Sequence, residues 1–323
     1  MRKKSSKSKI PLVQAFSILA FALPALMSGS QAHAQETRYQ GPLMMGVMGD
    51  SISAATLADF PIPSDASASN DKVQIEELQE RMIFENKYLL SWASGIGIKS
   101  HYVRLKDYFK RKGESRPINV DNVSYPGRMT NAMEDQALQL LQDFREGNYS
   151  ELKYVTLLVG SNDACSSQTP WGVPLGEMHD NLIKAFRILS MFPQKEPVHV
   201  LVVGIPRIPD LAEPSLRSSK TLLGLSCNTV RNKILKECNP LLTWKTEKEY
   251  DQKMMVIEND NRLIRDTVTE ANKLFPKIQA VYSDRLYNLN IPRSILAADC
   301  FHPNADGQQQ LADQVWMDQP WFD

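Results

Sequence analysis

Five short apolar runs constrain the fold more than any other feature of this sequence. Leu43–Met48, Ile118–Val123, Tyr154–Val159, Val198–Ile205 and Ile278–Tyr282 have the length and composition of strands buried on both faces, and several end in Gly, Ser or Pro. Between them lie helical patterns. The clearest are Asn181–Phe192, with Leu182, Ile183, Phe186 and Leu189 on one face, and Tyr250–Phe275, with Ile257, Ile264, Val268 and Ala271. Strand and helix in alternation predict an α/β fold: a doubly wound, mostly parallel sheet covered by helices on both faces, in three layers. Residues 59–75 and Pro206–Ser219 read as surface loops. The cluster from Trp92 to Phe109 reads either as core plus a solvated helix face or as the lining of a substrate cleft.

The N-terminus has a different character. Met1-Arg2-Lys3-Lys4, with Lys7 and Lys9, precedes an apolar run from Leu12 to Met27, and Ala32 and Ala34 flank His33 in an A-x-A pattern. This predicts a signal peptide over residues 1–34 and an exported domain over residues 35–323. Pro11 and Pro24 leave the apolar run short of the roughly 20 residues that a spanning helix needs. No later stretch is apolar enough to span a bilayer. No cysteine follows the cleavage pattern, which argues against a lipoprotein. Removal of the leader would leave 32 Lys and Arg against 37 Asp and Glu, a formal charge of −5, which argues against a nucleic-acid partner.

Cys165, Cys227, Cys238 and Cys300 all lie in the exported part, where disulfides are permitted and three complete pairings exist. Neither C-x-x-C, nor zinc-type Cys/His spacing, nor H-E-x-x-H occurs, so the sequence calls for no metal and no organic cofactor.

Three blocks carry chemistry. Gly49-Asp50-Ser51 follows the first strand directly, at the strand end where open parallel sheets bind ligands. A serine there suits a nucleophile, although it equally suits the N-cap of a following helix. Gly160-Ser161-Asn162-Asp163 follows the third strand; an asparagine N–H is a donor for an oxyanion, and the same residues also make ordinary turns. Asp299-Cys300-Phe301-His302 lies near the C-terminus, with a spacing that lets a carboxylate hold an imidazole in the tautomer that deprotonates a serine. Each block alone is weak; together, in order and after strands, they are not expected by chance.

Ordered in this way, Gly49-Asp50-Ser51, Gly127, Gly160-x-Asn162-Asp163 and Asp299-x-x-His302 resemble the signature blocks of the SGNH (GDSL-type) hydrolase superfamily. Gly127 belongs to Asn122-Val123-Ser124-Tyr125-Pro126-Gly127-Arg128-Met129-Thr130, similar to the superfamily's N-x-S-x-x-G-x-x-T loop. The resemblance implies a flavodoxin-like sheet and a catalytic triad of Ser51, Asp299 and His302. It also implies an oxyanion hole from the backbone N–H groups of Ser51 and Gly127 and the Asn162 amide, with Asp50 and Asp163 orienting loops. The G-x-S-x-G elbow of α/β-hydrolases is absent. Val155 to Cys165 and Asp299 to Pro303 are most similar to the phospholipase B-like branch, which implies an exported esterase or lipase, periplasmic or secreted, acting on small-molecule or lipid esters such as (lyso)phospholipids. Carbohydrate O-deacetylation and a non-catalytic binding module are the competing readings.

Cys165 and Cys300 flank blocks that must converge on one site, so the expected disulfides are Cys165–Cys300 and Cys227–Cys238. The second requires that Ser226–Glu237 not be a continuous helix, because eleven helical residues would hold the two Cα atoms roughly 16 Å apart. The other two pairings and free thiols remain as alternatives.

Overall fold

The computed structural model describes residues 41–60, 88–166, 174–221, 225–236 and 238–323. The predicted signal peptide and most of the predicted 59–75 loop lie outside them. Five strands form one sheet: β1 (Leu43–Gly49), β2 (Ile118–Asn122), β3 (Glu151–Leu158), β4 (Val198–Val203) and β5 (Ile278–Ser283). Their order is β2-β1-β3-β4-β5 and every pairing is parallel. From β1 the chain first steps to β2 on one side, then builds β3, β4 and β5 on the other. The order therefore reverses between β1 and β3, where open parallel sheets leave a crevice beyond the strand ends.

Alternation along the strands divides the core in two. The longer helices are α1 (His101–Arg111), α2 (Met133–Glu146), α3 (Leu175–Leu189), α4 (Glu247–Leu274) and α5 (Ala305–Trp316). Met44, Met48, Val155 and Val200 pack on one face with Leu140 and Phe144 of α2, Phe186 of α3 and Ile264 of α4. Met45, Val47, Tyr154 and Leu201 pack on the other with Leu105 of α1 and Leu311 and Val315 of α5. Period-two side chains on a strand face opposite layers, so continuous apolar runs need helices on both sides.

The Trp92–Phe109 cluster is core. Trp92 and Trp316 meet the buried His101 ring edge-on at 4.9 and 5.0 Å, and His101 Nδ1 lies 2.9 Å from the Tyr154 hydroxyl. Burial pushes the His101 pKa down to about 3, so it is a neutral packing group.

Two expectations are corrected. Pro206–Ser219 is not simply a loop: it contains a 3-10 turn at Ile208–Ala212 and a short helix at Pro214–Ser218. The disulfides are Cys165–Cys238 and Cys227–Cys300, not Cys165–Cys300 and Cys227–Cys238. The physical reason is the condition attached to the second pair. Cys227–Thr229 is helical and runs directly into a π-helix at Val230–Leu235, which carries Cys227 and Cys238 apart. Each end of this segment is instead stapled to a different loop of the crevice, with Cα–Cα separations of 4.6 and 5.5 Å.

Candidate active site

The site begins where β1 stops. Gly49 has φ +145°, and a Cβ there would lie 2.3 Å from the Leu158 carbonyl oxygen of β3, so glycine alone lets the chain leave the sheet at this point. The buried Gln136 side chain of α2 grips the same residue: Gly49 N–H donates to Gln136 Oε1 at 2.7 Å, and Gln136 Nε2 donates to the Gly49 carbonyl at 2.9 Å. Asp50 Oδ1 then accepts the Ile52 N–H at 3.0 Å. Residues 51–59 continue as turns, with Ala55 and Leu57 at positive φ, so Ser51 caps no helix.

Ser51 Oγ instead lies 2.7 Å from His302 Nε2. The other ring nitrogen, Nδ1, is hydrogen-bonded to Asp299 Oδ2, while Asp299 Oδ1 accepts the N–H groups of Phe301 and His302 at 3.0 and 3.1 Å. This Asp-x-x-His turn puts Cys300 at φ +61°. It is seated on α5 through Asn304, which caps Gly307 N at 3.0 Å and donates to the carbonyls of Ser294 and Leu296 at 2.8 and 3.1 Å. Asp299 is fully buried, while Ser51 and His302 keep 7% and 4% of their surface, which leaves the serine just within reach of a ligand. With Nδ1–H directed to the carboxylate, Nε2 is the acceptor for the serine proton.

The Gly127 loop is tied to the same strand end. Tyr125 N–H donates to the Gly49 carbonyl at 3.2 Å, and Asn122 accepts from Ser124 N while its amide reaches Ser53 O at 3.1 Å. Gly127 is exposed at φ +75°, a conformation that other residues adopt only under strain. Asn162, half-buried in the first turn after β3, donates through Nδ2 to the Arg128 carbonyl at 2.9 Å. Beside it, the buried Asp163 accepts from Thr130 N at 3.0 Å and Thr130 Oγ1 at 2.5 Å, joining the two loops from below. Ser51, His302 and Asp299 are thus linked in series, with His302 bonded to both of the others, and Gly127 and Asn162 are linked through the residue next to Gly127. The Asp163–Thr130 tie joins two residues of the motif blocks and gives Asp163 the loop-orienting place that the resemblance implies. The Gln136 clamp and the Asn304 cap, in contrast, come from residues outside those blocks; of these two only Asn304, an asparagine just before a helical pattern, carries a local signal.

A cleft of about 630 Å³, its open mouth included, starts at Ser51 and Asn162. Its walls are almost wholly apolar: Ile208, Leu211, Leu289, Ile295, Leu296 and Phe301 are among them. Among the described residues no group of His, Cys, Asp and Glu has the arrangement of a metal site.

Residues 45–315 match the family described as GDSL-like Lipase/Acylhydrolase. This chain belongs to that family. It is a serine ester hydrolase on an α/β fold. Solved structures similar to it include TesA (15% identity, 86% of this chain and 98% of that one, TM-score 0.45) and a variant of Axe2, an acetyl xylan esterase from Geobacillus stearothermophilus (12%, 87% and 96%, TM-score 0.42). Another is an extracellular lipase from Streptomyces rimosus (13%, 86% and 99%, TM-score 0.37). No curated protein matches at a significant level.

Burial pushes the Asp50 carboxyl up to about 7, opposed by the Ile52 N–H and by His302 and reinforced by the nearby Asp163. The folded chain therefore holds a proton that the unfolded chain releases above about pH 4. Stability from this group is present in acid and is lost as pH rises through the interval from about 4 to about 7. Asp50→Asn has no such proton to lose. Its stability relative to wild type is expected to improve by roughly 2–4 kcal/mol between about pH 4.5 and about pH 8, read by urea unfolding at both. A difference that is the same at both pH values would show that Asp50 titrates as an ordinary carboxylate.

Proposed function

We propose that this chain is an exported serine esterase or lipase that cleaves esters of apolar acyl chains, phospholipids and lysophospholipids among them, through an acyl-enzyme on Ser51. The observation that carries the acyl preference is the apolar cleft that opens on Ser51. Each acyl methylene buried against such a lining contributes about 0.8 kcal/mol, which favours acyl chains longer than acetyl.

His302 Nε2 takes the proton of Ser51 Oγ as the oxygen bonds to the ester carbonyl carbon. The oxyanion accepts from the N–H groups of Ser51 and Gly127 and from Asn162 Nδ2. The Asn162 amide carries two hydrogens, and the one held by the Arg128 carbonyl fixes the plane of the other. The carbon–oxygen bond to the alcohol breaks, the alcohol leaves with the proton from His302, and water repeats the sequence to free the acid. Asp299 keeps the imidazole in the working tautomer and stabilises its charged form.

The likeness of residues 155–165 and 299–303 to the phospholipase B-like branch supports a phospholipid or lysophospholipid substrate. The basic and apolar leader over residues 1–34 supports export, as do two disulfides, which an oxidising compartment maintains. Among the described residues no helix is long and apolar enough to cross a membrane.

A series of nitrophenyl esters, a phospholipid and an acetylated glycan test the reading. We expect kcat/KM to climb about three- to fourfold per methylene from acetate until the cleft is filled, with acid released from the phospholipid. A maximum at acetate with turnover of the glycan would replace it by O-deacetylation. Inactivity of the folded protein on every ester would leave a binding module.

A further inference from the structure

Arg231 is the one arginine among the fully buried side chains of the described residues, with no accessible surface. It makes no ion pair among the described residues. Its Nη1 donates to the carbonyl of Leu211 and, at 3.3 Å, to that of Cys300, while Nε and Nη2 meet no acceptor. Cys300 lies inside the Asp299–His302 turn, and Leu211 is a wall of the apolar cleft. An unpaired guanidinium taken from water is costly, and a neutral side chain of similar volume would fill the space without that penalty.

The element that carries Arg231 is fixed to the same turn twice more. Cys227, one residue before the stretch Asn228–Leu235, is disulfide-bonded to Cys300. Val230, its neighbour, packs with Ala297 and Ala298, which precede Asp299, and with Leu57, which follows Ser51. We propose that Arg231 is a positioning residue for ester hydrolysis: its guanidinium holds the Cys300 carbonyl, and so the Asp-x-x-His turn, against the Leu211 wall, and its fixed charge beside that turn disfavours a further positive charge at the triad. The proposal rests on the triad reading above.

The charged groups around it fix the sign. Arg231 faces Asp299 and, more weakly, Arg217 of the Pro214–Ser218 helix, and burial lowers its pKa to about 10, so it stays cationic at neutral pH. His302 faces Asp299 and Asp50. A fixed cation disfavours a second positive charge nearby, so removing it favours the imidazolium and moves the acid limb of kcat/KM to higher pH.

The test compares Arg231→Met, Arg231→Lys and Ser51→Ala with wild type on one short-chain nitrophenyl ester, with circular dichroism as the check on folding. In Arg231→Met we expect kcat to fall about tenfold or more with KM little changed, and the acid limb to rise by about half a unit to one unit. Arg231→Lys keeps the charge but not the fork, so its limb should stay at the wild-type pH while kcat falls severalfold. A folded Arg231→Met with wild-type kcat and limb would overturn the proposal, as would a limb in Arg231→Lys displaced as far as in Arg231→Met. If Arg231→Met does not fold, wild-type kcat in Arg231→Lys overturns it equally. Activity surviving in Ser51→Ala would sink the triad reading itself, whereas an inactive Ser51→Ala beside a normal Arg231→Met removes only the role of Arg231.

Discussion

Ser51→Ala is expected to lose ester hydrolysis by roughly 10⁴-fold or more, and with it all labelling by a fluorophosphonate. The size of the loss follows from the geometry. Ser51 Oγ lies 2.7 Å from His302 Nε2, so the imidazole is placed to take the proton of this hydroxyl as it accepts the acyl group. The fold should survive, because the deleted oxygen makes one hydrogen bond to a ring that Asp299 continues to hold. A stability loss of about 1 kcal/mol, a few degrees in Tm, is the expected scale. Turnover and labelling by mass spectrometry of the same samples check both halves. An alanine variant that retains most of its activity would exclude Ser51 as the nucleophile.

Most of what determines this site is local in sequence, which is why it was legible. Gly49-Asp50-Ser51 and Gly160-Ser161-Asn162-Asp163 sit at the ends of β1 and β3, and apolar composition alone locates those strands. Once both are strands of a parallel sheet, their C-terminal ends lie on one edge, and the reversal of strand order puts them side by side. The Asp299–His302 turn is a four-residue unit whose internal bonds need no partner from elsewhere. What was not legible depends on pairs far apart in the chain. Gln136 holds Gly49 across 87 positions and Arg231 reaches Cys300 across 69, and neither distance leaves a pattern in one sequence.

The disulfides show the same limit. Cys165 and Cys300 do lie on loops of one crevice, but their partners were decided by the helical run Cys227–Leu235, whose ends face different loops. Pro206–Ser219 hides its 3-10 turn and helix for a different reason. Pro214 stands at the start of its helix, where a missing N–H costs nothing, and a helix this short shows no apolar period. Thr246 and Glu249 form a capping box that starts α4 at Glu247, three residues before the apolar period begins, and that spacing is visible in the sequence.

Asn162→Ala is expected to lower kcat by roughly 10²–10³-fold with a smaller effect on KM. The asparagine side chain is already oriented in the free protein, since one amide hydrogen is bound to the Arg128 carbonyl at 2.9 Å. The remaining hydrogen meets a carbonyl oxygen weakly in the ground state and an oxyanion strongly, so deletion raises the barrier more than it weakens binding. Truncation also frees the Arg128 carbonyl, but the Gly127 loop keeps its anchor through Thr130 on Asp163. Loop disorder should therefore not imitate a lost donor. Steady-state kinetics on one ester separate the two constants. A change confined to KM would show that Asn162 binds substrate and takes no part in the transition state.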